Sequence, residues 1–212
     1  VFVKVCGITN GEDAKTAVRC GVSALGFVFC PSPRRVTPEK ARAIRAGLPA
    51  HVRAVGVFTD ESALRIREVA VYCGLDLVQL HGDQSPETCR ALGVPCIRAF
   101  RIRDETVIPT ILRFHAAVYA VLLDGWDLEK AGGTGRSFDW ELVPRAGRLG
   151  ARVILAGGLT PENVALAVAR TRPHGVDVSS GVERRLGIKD PALVRRFIAQ
   201  ARRSRPRETI HV

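Results

Sequence analysis

A handful of polar groups in this sequence stand where apolar runs stop, and they are the groups able to move a proton or hold an anion. Cys6 closes VFVKVC just before Gly7, Gln79 and His81 lie at the end of LDLVQLH, Asp124 ends YAVLLD, and Asp177, Ser179 and Ser180 close GVDVSS. A thiol at a strand–glycine junction is either a small core filler or a nucleophile or base facing a site. Asp124 precedes Gly125, and an Asp-Gly pair on its own usually just turns the chain. If the Gly-rich segment AGGTGRSFDW, with Gly132 and Gly133, closed over it, the shielded carboxyl would have a raised pKa and suit a general acid. His81 reads as a base, a hydrogen-bond donor or a packed strand end.

Anion-holding groups come late in the chain. Gly157 and Gly158 follow RVILA, and Ser179, Ser180 and Gly181 follow GVDV. Glycines let the backbone come close to a ligand, and free N–H groups there suit a phosphate. Either turn alone would merely be a tight turn; two of them on successive strands favour phosphate. Arg34 and Arg35 in CPSPRRVTP are either solvated or able to fork onto a carboxylate, which lysine does less well. No His, Cys or acidic cluster has metal-ligand spacing, so no metal is expected.

These groups need a scaffold that gathers strand ends. Eight apolar, β-branched runs (FVKVC, ALGFVF, VRAVGVF, LDLVQLH, CIRAF, YAVLLD, RVILA and GVDVS) alternate with segments of helical spacing. Ala14, Ala17 and Val18 make one apolar helix face; Ala63, Ile66, Val69, Ala70 and Cys73 make another, with Arg65 and Glu68 on the solvent side. TPEKARAI and TPENVALAV each offer a Thr cap and a Pro in the first turn. Strands apolar on both faces, separated by helices, predict an α/β protein with a covered parallel sheet. Eight is the number at which that sheet closes into a (β/α)8 TIM barrel, whose chemistry sits at the carboxyl ends of the strands. A doubly wound open sheet is the other solution, but no GxGxxG follows the first strand. The spacing predicts a single compact barrel with short loops over residues 1–201. Residues 202–212 form a basic tail after the last helix, expected to fray.

Composition narrows the class. The chain has 212 residues, 46% hydrophobic, enough for one large core. No apolar run is long enough to span a bilayer, and the start lacks a basic-then-apolar leader pattern. A cytoplasmic protein with no membrane partner is expected. The six cysteines form no CxxC pair and are expected to be reduced. The net charge of +11 suits a solvated basic face or a small anionic substrate. A nucleic-acid-binding module lacks support, since aromatics make up only 6% of the chain and no stacking series is present.

KVCGIT, LGFVF with SPRRVTP, VGVF, VQLHGD, LLDG with GGTGRSFDW, LAGGLTPENV and GVDVSSGVE with GIKD resemble, in order and in register, the phosphoribosylanthranilate isomerases, from Val3 to about Ala201. The resemblance implies a (β/α)8 barrel, monomeric or homodimeric, acting without a cofactor in tryptophan biosynthesis. It implies Cys6 as general base, Asp124 as general acid and Arg35 on the anthranilate carboxylate. Gly157, Gly158, Ser179, Ser180 and Gly181 would hold phosphate, with His81, Asp177, Gly132 and Gly133 as neighbours of the site. The nearest other reading is the aminoaldose isomerase of histidine biosynthesis, which is expected to use two carboxylates and grip two phosphates. In a closed barrel Cys6 and Asp124 stand three strand steps apart, about 10–13 Å at ~4.8 Å per step, enough for one phosphosugar between them.

Overall fold

The eight apolar runs form eight strands: β1 (Phe2–Val5), β2 (Ala24–Val28), β3 (Arg53–Phe58), β4 (Leu77–Leu80), β5 (Cys96–Arg101), β6 (Ala120–Asp124), β7 (Val153–Ala156) and β8 (Gly175–Val178). All pair in parallel with their sequence neighbours, and β8 pairs back onto β1, closing the barrel. The computed structural model describes residues 1–102, 105–114, 116–125, 142–148 and 150–203. Gly132 and Gly133, and the segment expected to cover the site, lie outside the described residues.

Helices α1 (Gly11–Arg19), α2 (Pro38–Ala46), α3 (Ala63–Cys73), α4 (Pro86–Ala91), α5 (Ile108–Phe114), α6 (Leu142–Arg148), α7 (Val164–Thr171) and α8 (Pro191–Arg203) lie between and after the strands. Their starts follow from local chemistry. Asn10, Thr37 and Ser62 accept from the backbone N–H three residues on, satisfying a donor the first turn leaves open. Helix α3 buries Ile66, Val69, Ala70 and Cys73 and leaves Arg65 and Glu68 exposed as an ion pair. Between β5 and β6 a 3-10 turn (Glu105–Val107) leads into α5.

Two sequence expectations shift. Helix α7 begins at Val164 rather than at Pro161, because the Asn163 carboxamide accepts from Thr160 N and donates to Gly158 O. Such side-chain bonds offer the backbone an alternative to helix. Helix α8 takes in Arg202 and Arg203, the first two residues expected in the tail; Arg202 bonds the Gly21 carbonyl.

Strand alternation sorts the core into two shells. Val3, Val5, Val121, Leu123 and Val176 face outward into the layer between barrel and helices, with Phe197 and Ile66 from the helices. Ala24, Val55, Leu77, Ile97, Leu122 and Ile154 face inward and fill the barrel. The same alternation sends Lys4 and Cys6, Asp124, and Asp177 inward as well. Near the carboxyl end of the barrel, polar side chains join Val57, Leu122 and Ala156 around the inside.

Candidate active site

At the carboxyl ends of the strands is a cavity of about 380 Å³, a size suited to a small molecule. Cys6 from β1, His81 beyond β4, Arg101 from β5 and Asp124 from β6 line it, as do the turns after β7 and β8 at 157–159 and 179–181. Sequence reasoning named most of these. Arg35 is different: it is exposed on the loop after β2 and is not part of the cavity wall.

The thiol stands over a buried ion pair. Lys4, on the same face of β1 two residues before Cys6, is fully buried and donates to Asp177 Oδ2 at 2.8 Å; the two residues are direct partners in the β1–β8 register. Burial alone would favour the neutral amine. Asp177 and the Cys6 sulfur together outweigh it and hold the ammonium above the usual lysine range. Burial pushes the Cys6 thiol up, Lys4 pulls it down and Asp177 opposes Lys4. The resting side chain is therefore a thiol, with a fixed cation beneath it. Lys4→Met would leave the Asp177 carboxylate buried without its partner, and a loss of about 3–5 kcal/mol in urea unfolding is expected. Lys4→Met/Asp177→Leu, which removes both charges, is expected to recover most of that loss.

Asp124 closes β6 opposite Arg101 in register. Burial pushes its carboxyl up, Asp177 adds to the rise and Arg101 partly offsets it. Its Oδ1 abuts Gly157: a methyl group built there would lie 2.5 Å from Oδ1 and 2.4 Å from the Gly125 carbonyl. Gly157 also has φ +88°, a backbone state that favours glycine. Gly181 would bring a methyl group to 2.0 Å from the Leu159 carbonyl, so only a glycine lets the turn after β8 press against the turn after β7.

His81 is held neutral. Burial, with Lys4, Arg101 and Arg98 nearby, lowers its imidazole to about 4. Its Nε2 lies 2.7 Å from the Gln79 carboxamide, so the two side chains hydrogen-bond across the end of β4. The Ser179 hydroxyl donates to the Cys6 carbonyl at 3.2 Å. It thereby ties the end of β8 to the end of β1, at the stretch of cavity wall where the phosphate is expected.

The two arginines of SPRRVTP part company. Arg34 is not solvated: its Nε and Nη2 donate to the two oxygens of Glu183 at 2.7 Å each, and Lys189 Nζ reaches Oε1 of the same carboxylate at 2.9 Å. A methyl group built on Gly7 would meet Arg34 Cδ at 2.5 Å, so the Arg34 stem lies over the residue next to Cys6. The loop after β2 is thus strapped to the mouth by Arg34, with Arg35 next in line on the exposed side.

Lys4 and Arg101 escaped the sequence reading, although the signal was present. A lone lysine in an apolar strand, two residues from a candidate base, shares its face. Ile97, Ala99 and Arg101 share a face too, but only if β5 is read one residue longer.

The chain matches the sequence model of N-(5'-phosphoribosyl)anthranilate (PRA) isomerase over residues 3–200. It is 46% identical to the N-(5'-phosphoribosyl)anthranilate isomerase of Pelobacter propionicus over 99% of both chains. It is 48% identical to that of Geobacter sulfurreducens over 95% of this chain and 98% of the other. The crystal structure of phosphoribosyl anthranilate isomerase from Thermotoga maritima superposes with a TM-score of 0.87 at 42% identity, covering 95% of this chain and 98% of that one. A phosphoribosyl anthranilate isomerase solved in complex with reduced 1-(o-carboxyphenylamino)-1-deoxyribulose 5-phosphate gives 0.86 at 40%, with the same coverage. Fold, strand-end chemistry and sequence agree: the chain belongs to the N-(5'-phosphoribosyl)anthranilate isomerase family.

Proposed function

We propose that this cavity converts N-(5'-phosphoribosyl)anthranilate to 1-(2-carboxyphenylamino)-1-deoxyribulose 5-phosphate with Cys6 as base and Asp124 as acid, in the cytoplasm, on the pathway to tryptophan. The observation that carries the reading is the pair itself. A thiol and a half-buried carboxyl line one cavity, on strands separated by the two whose glycine turns press together.

The chemistry needs one acid and one base. Asp124 gives its proton to the ribose ring oxygen, the bond from that oxygen to the first carbon breaks, and the anthranilate nitrogen lone pair makes an iminium. The Cys6 thiolate then takes the proton from the second carbon, whose bonding pair becomes the double bond of an enolamine. That enolamine gains a proton on the first carbon and loses one from the second-carbon hydroxyl, giving the ketone. Atoms and electrons balance within the substrate, so no cofactor takes part. The backbone of Gly157, Gly158, Ser180 and Gly181 holds the phosphate, and Ser179 fixes the β1–β8 junction beside it. Asp177 keeps Lys4 in place, and His81 lines the wall between base and acid. Arg35 grips the anthranilate carboxylate at the outer rim. Every residue in this assignment comes from one chain, within residues 1–201, so a monomer or a homodimer can act.

Freshly prepared phosphoribosylanthranilate is fluorescent, and its enzyme-dependent loss of fluorescence tests the reading. Turnover by the purified chain is expected; folded protein with no effect on the signal contradicts it.

A further inference from the structure

The structure points to one more residue that sets this reaction's geometry. A methyl group built on Gly26 of β2 would lie 2.6 Å from Cys6 Sγ, 3.0 Å from Cys6 Cα and 3.2 Å from Cys6 Cβ. Gly26 follows directly on the register pairs Lys4–Ala24 and Val5–Leu25, so it stands beside Cys6 on the neighbouring strand, facing the same way. Val28, Val57 and Cys30 pack with Cys6 in one buried cluster. The thiol therefore packs against these three, with bare backbone on the β2 side, and lines the cavity.

We infer that Gly26 is a positioning residue: its missing side chain is the seat that aims the Cys6 thiol at the substrate. The inference rests on Cys6 being the base. Asp124 shows the same device across the cavity, with Oδ1 against Gly157; each proposed proton-transfer group leans on a glycine of the following strand or its turn. Gly26 has no positive φ, so an alanine there carries no backbone penalty and the conflict is one of space. The sulfur can yield by rotating about χ1, but the Cα cannot. Rotation turns the sulfur away from the carbon it must deprotonate, and displacements of about 1 Å at a reacting atom cost roughly a hundredfold.

Gly26→Ala is expected to lower kcat about a hundredfold with KM within about threefold, since the phosphate turns are untouched. The double-variant cycle with Cys6→Ala reads the seat independently of activity: removing Sγ removes the 2.6 Å conflict, so Gly26→Ala is expected to shift the urea midpoint less in the Cys6→Ala background than in the parent. Equal shifts in both backgrounds would show that Gly26 serves strand spacing alone and overturn the inference. Unchanged kcat in Gly26→Ala would overturn it too, and Cys6→Ser then separates the causes. An inactive Cys6→Ser leaves the base assignment standing, whereas an active one removes both.

Discussion

Cys6→Ser is expected to lower kcat by roughly 10²–10⁴-fold, the range general acid–base catalysis supplies, while KM stays within a few-fold. A hydroxyl nearly matches a thiol in size, so the slot formed by Val28, Cys30, Val57 and Gly26 stays filled. The loss arises from acidity: a serine hydroxyl holds its proton far more tightly than a thiol, and Lys4 beneath it cannot close that gap. Steady-state kinetics and a urea unfolding curve on the same preparation separate lost chemistry from lost fold. A serine variant within tenfold of the parent kcat would remove Cys6 from the role of base.

Asp124→Asn is expected to produce a loss of similar size together with the disappearance of the fall in activity at high pH. The active form pairs a protonated Asp124 with an ionised Cys6. Ordinary thiols are much weaker acids than ordinary carboxylic acids, and burial pushes both groups up. The resting form is therefore the opposite one, carboxylate with thiol. Both forms bind the same number of protons, so their ratio does not vary with pH between the two pKa values. In the parent, kcat/KM rises with pH below the carboxyl's pKa, runs level, and falls above the thiol's as Asp124 and Cys6 are both ionised. In Asp124→Asn the carboxyl no longer titrates, and residual activity is expected to climb toward the thiol's pKa and stay high above it. The amide fits the seat against Gly157, so stability is expected to change little. An Asp124→Asn variant that still falls at high pH, or that keeps the parent rate, would contradict the acid assignment.

Much of this was legible before any coordinates. The eight strands announce themselves because a barrel strand is buried on both faces and so reads as an unbroken apolar run, and strand-end polar residues stand out against it. Cys6, His81, Asp124, Asp177 and the turns after β7 and β8 line the cavity together. Most of what escaped notice depended on contacts between distant parts of the chain. Arg34 and Arg35 are indistinguishable in sequence; only Glu183, 149 positions away, separates a strap from an exposed guanidinium. Ser179 lines the cavity as its position at the end of β8 suggests, but its hydroxyl's bond to the Cys6 carbonyl exists only because the barrel closes. The late start of α7 turns on one carboxamide that outcompetes a good Thr-Pro cap. Lys4 could have been found by strand alternation alone, but its meaning needs Asp177, and that pairing exists only because the barrel closes.

A crystal structure of this chain with reduced 1-(o-carboxyphenylamino)-1-deoxyribulose 5-phosphate tests the proposed geometry most directly. The phosphate is expected against the turns at 157–158 and 180–181, with Cys6 Sγ about 3.5 Å from the second sugar carbon. An Asp124 carboxyl oxygen should lie about 2.6–3.2 Å from the hydroxyl that was the ring oxygen. A ligand whose phosphate sits elsewhere, or whose second carbon faces away from the sulfur, would contradict it.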